Sequence, residues 1–233
     1  MFTQTRKAWL YIFALPFFFS CATYNNKLNS YYNNLYSKNY NTAKQDLENN
    51  KFMSKNRNRI LFLMEMGKLY HLKKEYDSSN IFLNAADNLI EQNTRTVGDA
   101  IVGNITNPML QTYKPESFEV FMVHYYKAIN YLSVNNFSEA LVEAKRIQLS
   151  NDALKNSLSI NSNKYSNDAF SLSLQGLIYE LNGEINNAFI SYRNAVDIFL
   201  NNNNKENYGV QIPYQLQKDL LRDRKSTRLN SSH

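Results

Sequence analysis

A small residue, a large ring three positions later, a short polar turn and an apolar residue that restarts a helix recur along this chain. That order admits little except paired helices. The clearest case runs from Phe118 to Ile147. Ala128 is small where two helices must approach, and Tyr131 follows one turn later on the same face. Asn135 and Asn136 form the turn, since Asn tolerates left-handed backbone and its side chain competes with helical hydrogen bonds. Phe137 restarts the apolar stripe, and Ala140, Ala144 and Ile147 continue it at helical spacing.

The same order occurs elsewhere. From Ile60 to Asn93, Gly67 and Tyr70 precede a turn at Lys73 to Glu75, and Tyr76, Leu83 and Ala86 follow. A side chain at Gly67 would hold the two helices apart. From Ala169 to Leu200, Gly176 and Tyr179 precede a turn at Asn182-Gly183, then Ile185, Ala188, Tyr192 and Ala195. Leu28 to Asn50 is the weakest copy, with Asn34 where a ring is expected. The residues that restart the second helices are Tyr40, Tyr76, Phe137 and Ile185, separated by 36, 61 and 48 residues. Two intervals therefore exceed one repeat. Thr94 to Ser117 breaks the pattern with Gly98, Gly103, Pro108 and Pro115, yet keeps Val97, Ile101, Ile105, Met109 and Leu110, so it is expected to cover apolar surface. Asn151 to Ser166 and Asn201 to Gln211 read as loops, and a last helix starts near Pro213.

Small-x-x-aromatic, turn, aromatic-x-x-Ala resembles the tetratricopeptide repeat of about 34 residues. The resemblance implies an all-α fold, a tetratricopeptide-like α-solenoid of about four irregular helical hairpins. A content of 43% hydrophobic residues agrees with a packed core.

The N-terminus follows a different logic. Arg6 and Lys7 precede an apolar run, Ala8 to Phe19, which ends at Ser20-Cys21 before the chain turns polar. This is the order of a secretory signal, and the run is too short to span a bilayer. Cys21 is the sole cysteine, so no internal disulfide can form. The arrangement resembles a bacterial lipoprotein signal, which implies cleavage before Cys21 and its acylation, for instance with palmitate. Phe18 stands where such signals usually carry Leu; cleavage after Ala22 is the alternative. Ala22 to Asn26 contain no acid, which in resembling lipoproteins implies the outer membrane, facing the periplasm.

Asp223 to His233 resembles the translation of a sequencing-library adapter, implying that the gene is cut near Arg222. The expected division is a signal at 1–20, a tether at 21–27, a helical domain at 28–222 and an adapter-derived stretch at 223–233. The full chain has 26 basic and 20 acidic residues; without Arg6, Lys7 and residues 223–233 the balance is 21 to 19. The basic character therefore belongs to the ends and does not argue for nucleic acid.

No catalytic constellation, cofactor motif or metal site emerges. His71 and His124 each lie within an expected helix, without a second His at ligand spacing. The expectation is a protein that is not an enzyme. Glu139, Glu143 and Arg146 share one helix surface and read as a solvated charge ladder. In tetratricopeptide domains, ligand contacts come from the outward face of the first helices. Carried over by position, that face comprises Met64, Lys68 and His71; Met122, Tyr125 and Ile129; and Phe170, Ser173, Leu177 and Glu180. It is more apolar than a solvated groove should be. Either it binds a partner, or it is covered from within by Thr94–Ser117 or by sequence beyond Arg222.

Beyond the repeats, Cys21 to Tyr24, Tyr113 to Glu119 and His124 to Arg146 resemble an uncharacterised family of tetratricopeptide-like bacterial envelope lipoproteins. That resemblance implies a membrane anchor at Cys21 and a protein or peptide partner in the concave groove. Other readings are the non-catalytic part of a longer enzyme, an activator of an envelope-assembly enzyme, or a carbohydrate-binding lipoprotein. The last is weakened because the single Trp, Trp9, lies in the signal.

Overall fold

The computed structural model describes residues 24–99, 112–156, 168–202 and 204–230. These are all-α apart from one short β-hairpin. Cys21 and the signal stretch 1–20 lie outside the described residues, as do residues 100–111 of the irregular segment and 231–233 at the end. The chain divides into two compact units, Met1–Phe52 and Met53–His233.

In the first unit, α1 (Tyr24–Lys27) leads to α2 (Asn29–Tyr36) and α3 (Tyr40–Glu48). Leu28, Tyr31, Leu35, Ala43 and Leu47 are buried. Asn34 donates to the Asp46 carboxylate at 2.8 Å, and the Ser30 hydroxyl donates to the same carboxylate at 2.7 Å. The ring expected at position 34 is thus replaced by a hydrogen-bonded tie between the two helices.

In the second unit, a 3₁₀ turn (Asn56–Asn58) precedes α4 (Arg59–Leu72), α5 (Tyr76–Asp99), α6 (Ser117–Ser133) and α7 (Phe137–Asn156). Then come α8 (Ala169–Leu181), α9 (Ile185–Asn201), strands β1 (Glu206–Asn207) and β2 (Val210–Gln211), and α10 (Tyr214–Asn230). Each helix packs on its hairpin partner, and α5 also packs on α6, α7 on α8, and α9 on α10. Three buried clusters follow this succession. Ile60, Leu83, Ile90 and Val123 join α4, α5 and α6. Tyr125, Ala140, Ile147 and Ile178 belong to a cluster spanning α6 to α8, and Tyr179, Tyr192, Phe199 and Leu216 to one spanning α8 to α10.

The α2–α3, α4–α5, α6–α7 and α8–α9 turns share one geometry. Lys38, Lys74, Asn135 and Gly183 have φ of 61°, 63°, 56° and 77°. The next N–H, of Asn39, Glu75, Asn136 or Glu184, reaches back to the carbonyl of Asn34, Tyr70, Tyr131 or Tyr179 at 2.8–3.0 Å. This is the Schellman closure, which satisfies carbonyls that a helix end leaves open. Gly183 adopts the left-handed conformation freely, whereas Lys38 and Lys74 do so at a cost of about 1 kcal/mol. The following carbonyl then accepts the N–H of Ala43, Ser79, Ala140 or Ala188, all wholly buried. A small residue there lets the second helix lie close. On the first helix, a Cβ at Gly67 would collide with Leu83, and one at Gly176 with the Tyr192 ring.

Several expectations are revised. Helix α5 continues through Gly98 to Asp99, since one glycine costs a helix only about 1 kcal/mol. Helix α7 runs to Asn156, inside the stretch read as a loop. The segment 201–211 begins with the last residue of α9 and contains the β-hairpin, in which Glu206 pairs with Gln211 and Asn207 with Val210. Tyr208 and Gly209, with φ of 51° and 78°, supply the left-handed pair that a two-residue hairpin turn needs. Helix α10, expected from near Pro213, runs to Asn230 and so into the stretch read as adapter-derived, whose origin this does not test. Before α6, the Tyr113 N–H donates to the Arg57 carbonyl at 2.7 Å, and its hydroxyl donates to the Glu119 carboxylate at 2.5 Å. Tyr113 also packs against the Ile60–Val123 cluster, so this end of the irregular segment covers apolar surface.

Candidate functional site

Three adjoining clefts lie along α4, α6 and α8, the first helices of the pairs in the second unit. The first, of about 230 Å³, lies between α4 and α6 and is lined by Met64, Lys68, Phe118 and Met122. The second, of about 550 Å³, is lined by Met122, Tyr125 and Phe170, and is walled by Tyr208 and Val210 of the β-hairpin. The third, of about 450 Å³, lies between α8 and α10 and is lined by Phe170, Ser173, Leu177 and Glu180. Phe118 and Met122 are shared by the first two, and Phe170 and Ser173 by the last two. Met122 is 49% exposed and Phe170 55%, large values for such side chains on ordered helices.

The carried-over face divides. Met64, Lys68, Met122, Tyr125, Phe170, Ser173, Leu177 and Glu180 line one or more of the three clefts. His71 and Ile129 line none of them. His71 turns into the seam with α6, where its Nδ1 lies 2.6 Å from Asn130 Oδ1 and its ring meets Tyr76 and Tyr126 edge-on. Ile129 packs against the α6–α8 cluster.

Tyr125 is a buried wall of the middle cleft, 5% exposed. Its hydroxyl donates to Asp168 Oδ2 at 2.5 Å, and its ring meets Phe170 edge-to-face at 5.4 Å. Burial, then the Asp168 charge and the hydrogen bond to it, hold the phenol well above its ordinary pKa, so it stays protonated and donating. The other Asp168 oxygen caps α8 by accepting from the Phe170 N–H at 3.0 Å. Asn207 Oδ1 accepts from the Ala169 N–H at 3.0 Å, which pins the β-hairpin to the start of α8. The one sequence signal for this hairpin wall is the Tyr208-Gly209 turn. In the third cleft, Glu180 accepts from the Tyr192 hydroxyl at 3.0 Å and pairs with Arg222.

A second constellation lies inside the fold, between α5, α6 and α7. The Lys127 ammonium donates to Asp87 at 2.9 Å and to Glu143 at 2.8 Å. His124 Nδ1 lies 2.8 Å from the other Glu143 oxygen, and Arg146 pairs with Asp87 and Glu91. Further along α6, Asn130 donates to Ser79 and Asn80 at 2.8 Å each, and Ser79 donates to the Gly67 carbonyl at 2.7 Å. The solvated ladder is therefore wrong for Glu143, while Arg146 stays half-buried at the edge of the cluster, turned toward Asp87 and Glu91. Glu143 is 4% exposed and Lys127 2%, because the second face of α7 is covered by α6 rather than by water. Only Glu139 remains exposed.

Burial alone would raise the carboxyl pKa values of Asp87 and Glu143. For Asp87 it is outweighed by the Lys127 hydrogen bond and the Lys127, His124 and Arg146 charges; for Glu143, by hydrogen bonds from His124 and Lys127 and their charges. Both pKa values end below the ordinary range, and both groups are held ionised. A buried ion cluster with no opening to the three clefts positions helices rather than substrates. The sequence signal for it is His124, Lys127 and Asn130, three polar residues at i, i+3 and i+6 within the otherwise apolar or aromatic run Val120–Leu132. Among the described residues, no group of three or more His, Cys, Asp or Glu is arranged to hold a metal ion.

No family model matches the chain, and no curated protein matches it.

Proposed function

We propose that this chain is a lipid-anchored envelope protein whose helical pairs form a tetratricopeptide-type solenoid, and that its first-helix face holds an apolar segment of a protein or peptide partner. The observation that carries the reading is the run of adjoining clefts along α4, α6 and α8, with Phe118, Met122, Phe170 and Leu177 all exposed at 40% or more. Large apolar side chains gathered on one face, and left in water, usually meet something. The shared turn geometry and the small residues at Gly67, Ala128 and Gly176 support the solenoid type. Anchoring rests on the residue order around Cys21, and sorting to the outer membrane on the acid-free Ala22–Asn26. Among the described residues, no helix is long and apolar enough to cross a membrane.

The test is a double substitution, Met122→Ser with Phe170→Ser, in a cell-based crosslinking pulldown. Both side chains are about half exposed and Phe170 gives up its edge-to-face contact with Tyr125, so helical content should hold with a stability loss of about 1–2 kcal/mol. Partner capture should be lost. Capture retained by a folded double variant would move the binding site off this face.

A further inference from the structure

We infer that the segment these clefts accept is a basic one, with apolar residues interspersed with lysine or arginine. The inference rests on the proposed partner-binding role of the clefts and adds the chemistry of the partner. Among the described residues, the carboxylates lining the three clefts are five, Asp168, Glu180, Asp219, Glu65 and Glu119, against two basic side chains, Lys68 and Arg222. Without its two ends the chain is nearly balanced, with 21 basic residues to 19 acidic. The acidic excess is therefore a property of this face.

Each cation is offset by a carboxylate beside it, which leaves one net negative charge in the lining of each cleft. Lys68 is paired with Glu65, and Arg222 with Glu180 and Asp219. In the 550 Å³ cleft the one carboxylate among the described lining residues is Asp168, amid Phe118, Phe121, Met122, Phe170 and Val210. Its carboxylate accepts one bond from Tyr125 and one from the Phe170 N–H, out of roughly four lone-pair sites. A cationic donor entering the cleft would find acceptor capacity there, and an apolar side chain beside it would find walls of matching polarity. An acidic segment would instead meet like charge in each of the three clefts, and like charge at an interface is rejected more strongly than opposite charge is rewarded. The same repulsion excludes a nucleic acid backbone.

The experiment uses the purified full chain and three fluorescein-labelled nonapeptides that share one pattern of Leu and Phe and carry Lys, Gln or Glu at the intervening positions. Binding is read by anisotropy at about 50 mM and about 500 mM salt. The Lys peptide should bind about tenfold tighter than the Gln peptide at low salt, with the gap closing at high salt. The Glu peptide should be weakest. Glu180→Gln and Asp168→Asn, whose Asn can still cap α8, should each reduce the preference for Lys with helical content retained, although each weakens bonds the carboxylate accepts and lowers the melting temperature somewhat. Equal binding of the Lys and Gln peptides, abolished by Phe170→Ser, would overturn the charge inference while leaving the clefts as the binding site. A Lys preference unaffected by both charge-neutral variants would place the attraction elsewhere and overturn it too. Failure of all three peptides to bind, or binding of all three unchanged by Phe170→Ser, would overturn both the inference and the reading beneath it.

Discussion

Lys127, 2% exposed on α6, donates to Glu143 of α7 at 2.8 Å and to Asp87 of α5 at 2.9 Å, so one buried ammonium joins three helices from two hairpins. Most of the second unit is held by Leu, Ile, Ala and Tyr packing, and this cluster is the exception. Such a cluster contributes less to net stability than its Coulomb attraction suggests, because each ion gave up its hydration. What it supplies is register: three helices can satisfy these groups together in one arrangement. Breaking it from one side is another matter.

Lys127→Ala leaves Asp87 and Glu143 buried with less compensation, and should destabilise the second unit by about 3–5 kcal/mol. Thermal and urea unfolding of the full chain would measure it. The exposed Glu139→Ala should shift stability by no more than about 0.5 kcal/mol, since surface changes rarely do more. Equal losses for the two would contradict the burial of the cluster.

The cluster also sets an acid response. The folded pKa values of Asp87 and Glu143 lie below their unfolded values, near 4. Their contribution is therefore fully present above about pH 5, declines as pH passes the unfolded values and is gone once pH falls through the lower folded ones. Urea midpoints measured from pH 7 to pH 2.5 should drop below about pH 5, and Glu143→Gln should flatten part of that drop while lowering stability at pH 7. A Glu143→Gln slope identical to that of the unaltered chain would show that Glu143 titrates alike in both states.

Gly176 lies under the Tyr192 ring, and even a methyl group there must displace the ring or the helix. Gly176→Ala should cost about 1–3 kcal/mol by overpacking. Gly183→Ala meets no atom but must hold φ at 77°, and should cost about 1 kcal/mol by backbone strain alone. The exposed Asn201→Leu should change little. Differential scanning calorimetry of the three variants should rank them in that order; equal shifts would argue against close packing of α8 on α9.

The anchor is tested chemically. Cys21→Ser should abolish uptake of labelled fatty acid and release the protein from the membrane fraction. An unlabelled wild type in the same cells would contradict lipidation.

The paired helices were legible because their signals are local. Gly67, Ala128 and Gly176, each three residues before a tyrosine, mark where helices must touch, and the polar turns mark where they reverse. What was not legible depended on which helix covers which. Glu143 and Glu139 lie on the same helix with the same charge, and only the placement of α6 makes one buried and the other solvated. The hairpin Glu206–Gln211 was hidden for a related reason: two-residue strands carry no alternation, and Tyr208 in a left-handed position gives no strong cue. His71 shares its spacing with Lys68 and Met64, yet Asn130 on the next hairpin draws it into a seam. Tyr125, assigned to the same outward face, is instead buried in the α6–α8 cluster, while helical periodicity does separate the exposed Met122 and Phe170 from the residues beneath them.

The central claim is that a partner seats on the first-helix face, and a photocrosslinking amino acid tests it most directly. Placed at Phe170 in living cells, it should give a discrete partner adduct on illumination. Placed at Ile190, comparably exposed but on the second helix α9, it should give none. Adducts at Ile190 of equal or greater yield, with Phe170 silent, would contradict the assignment of this face.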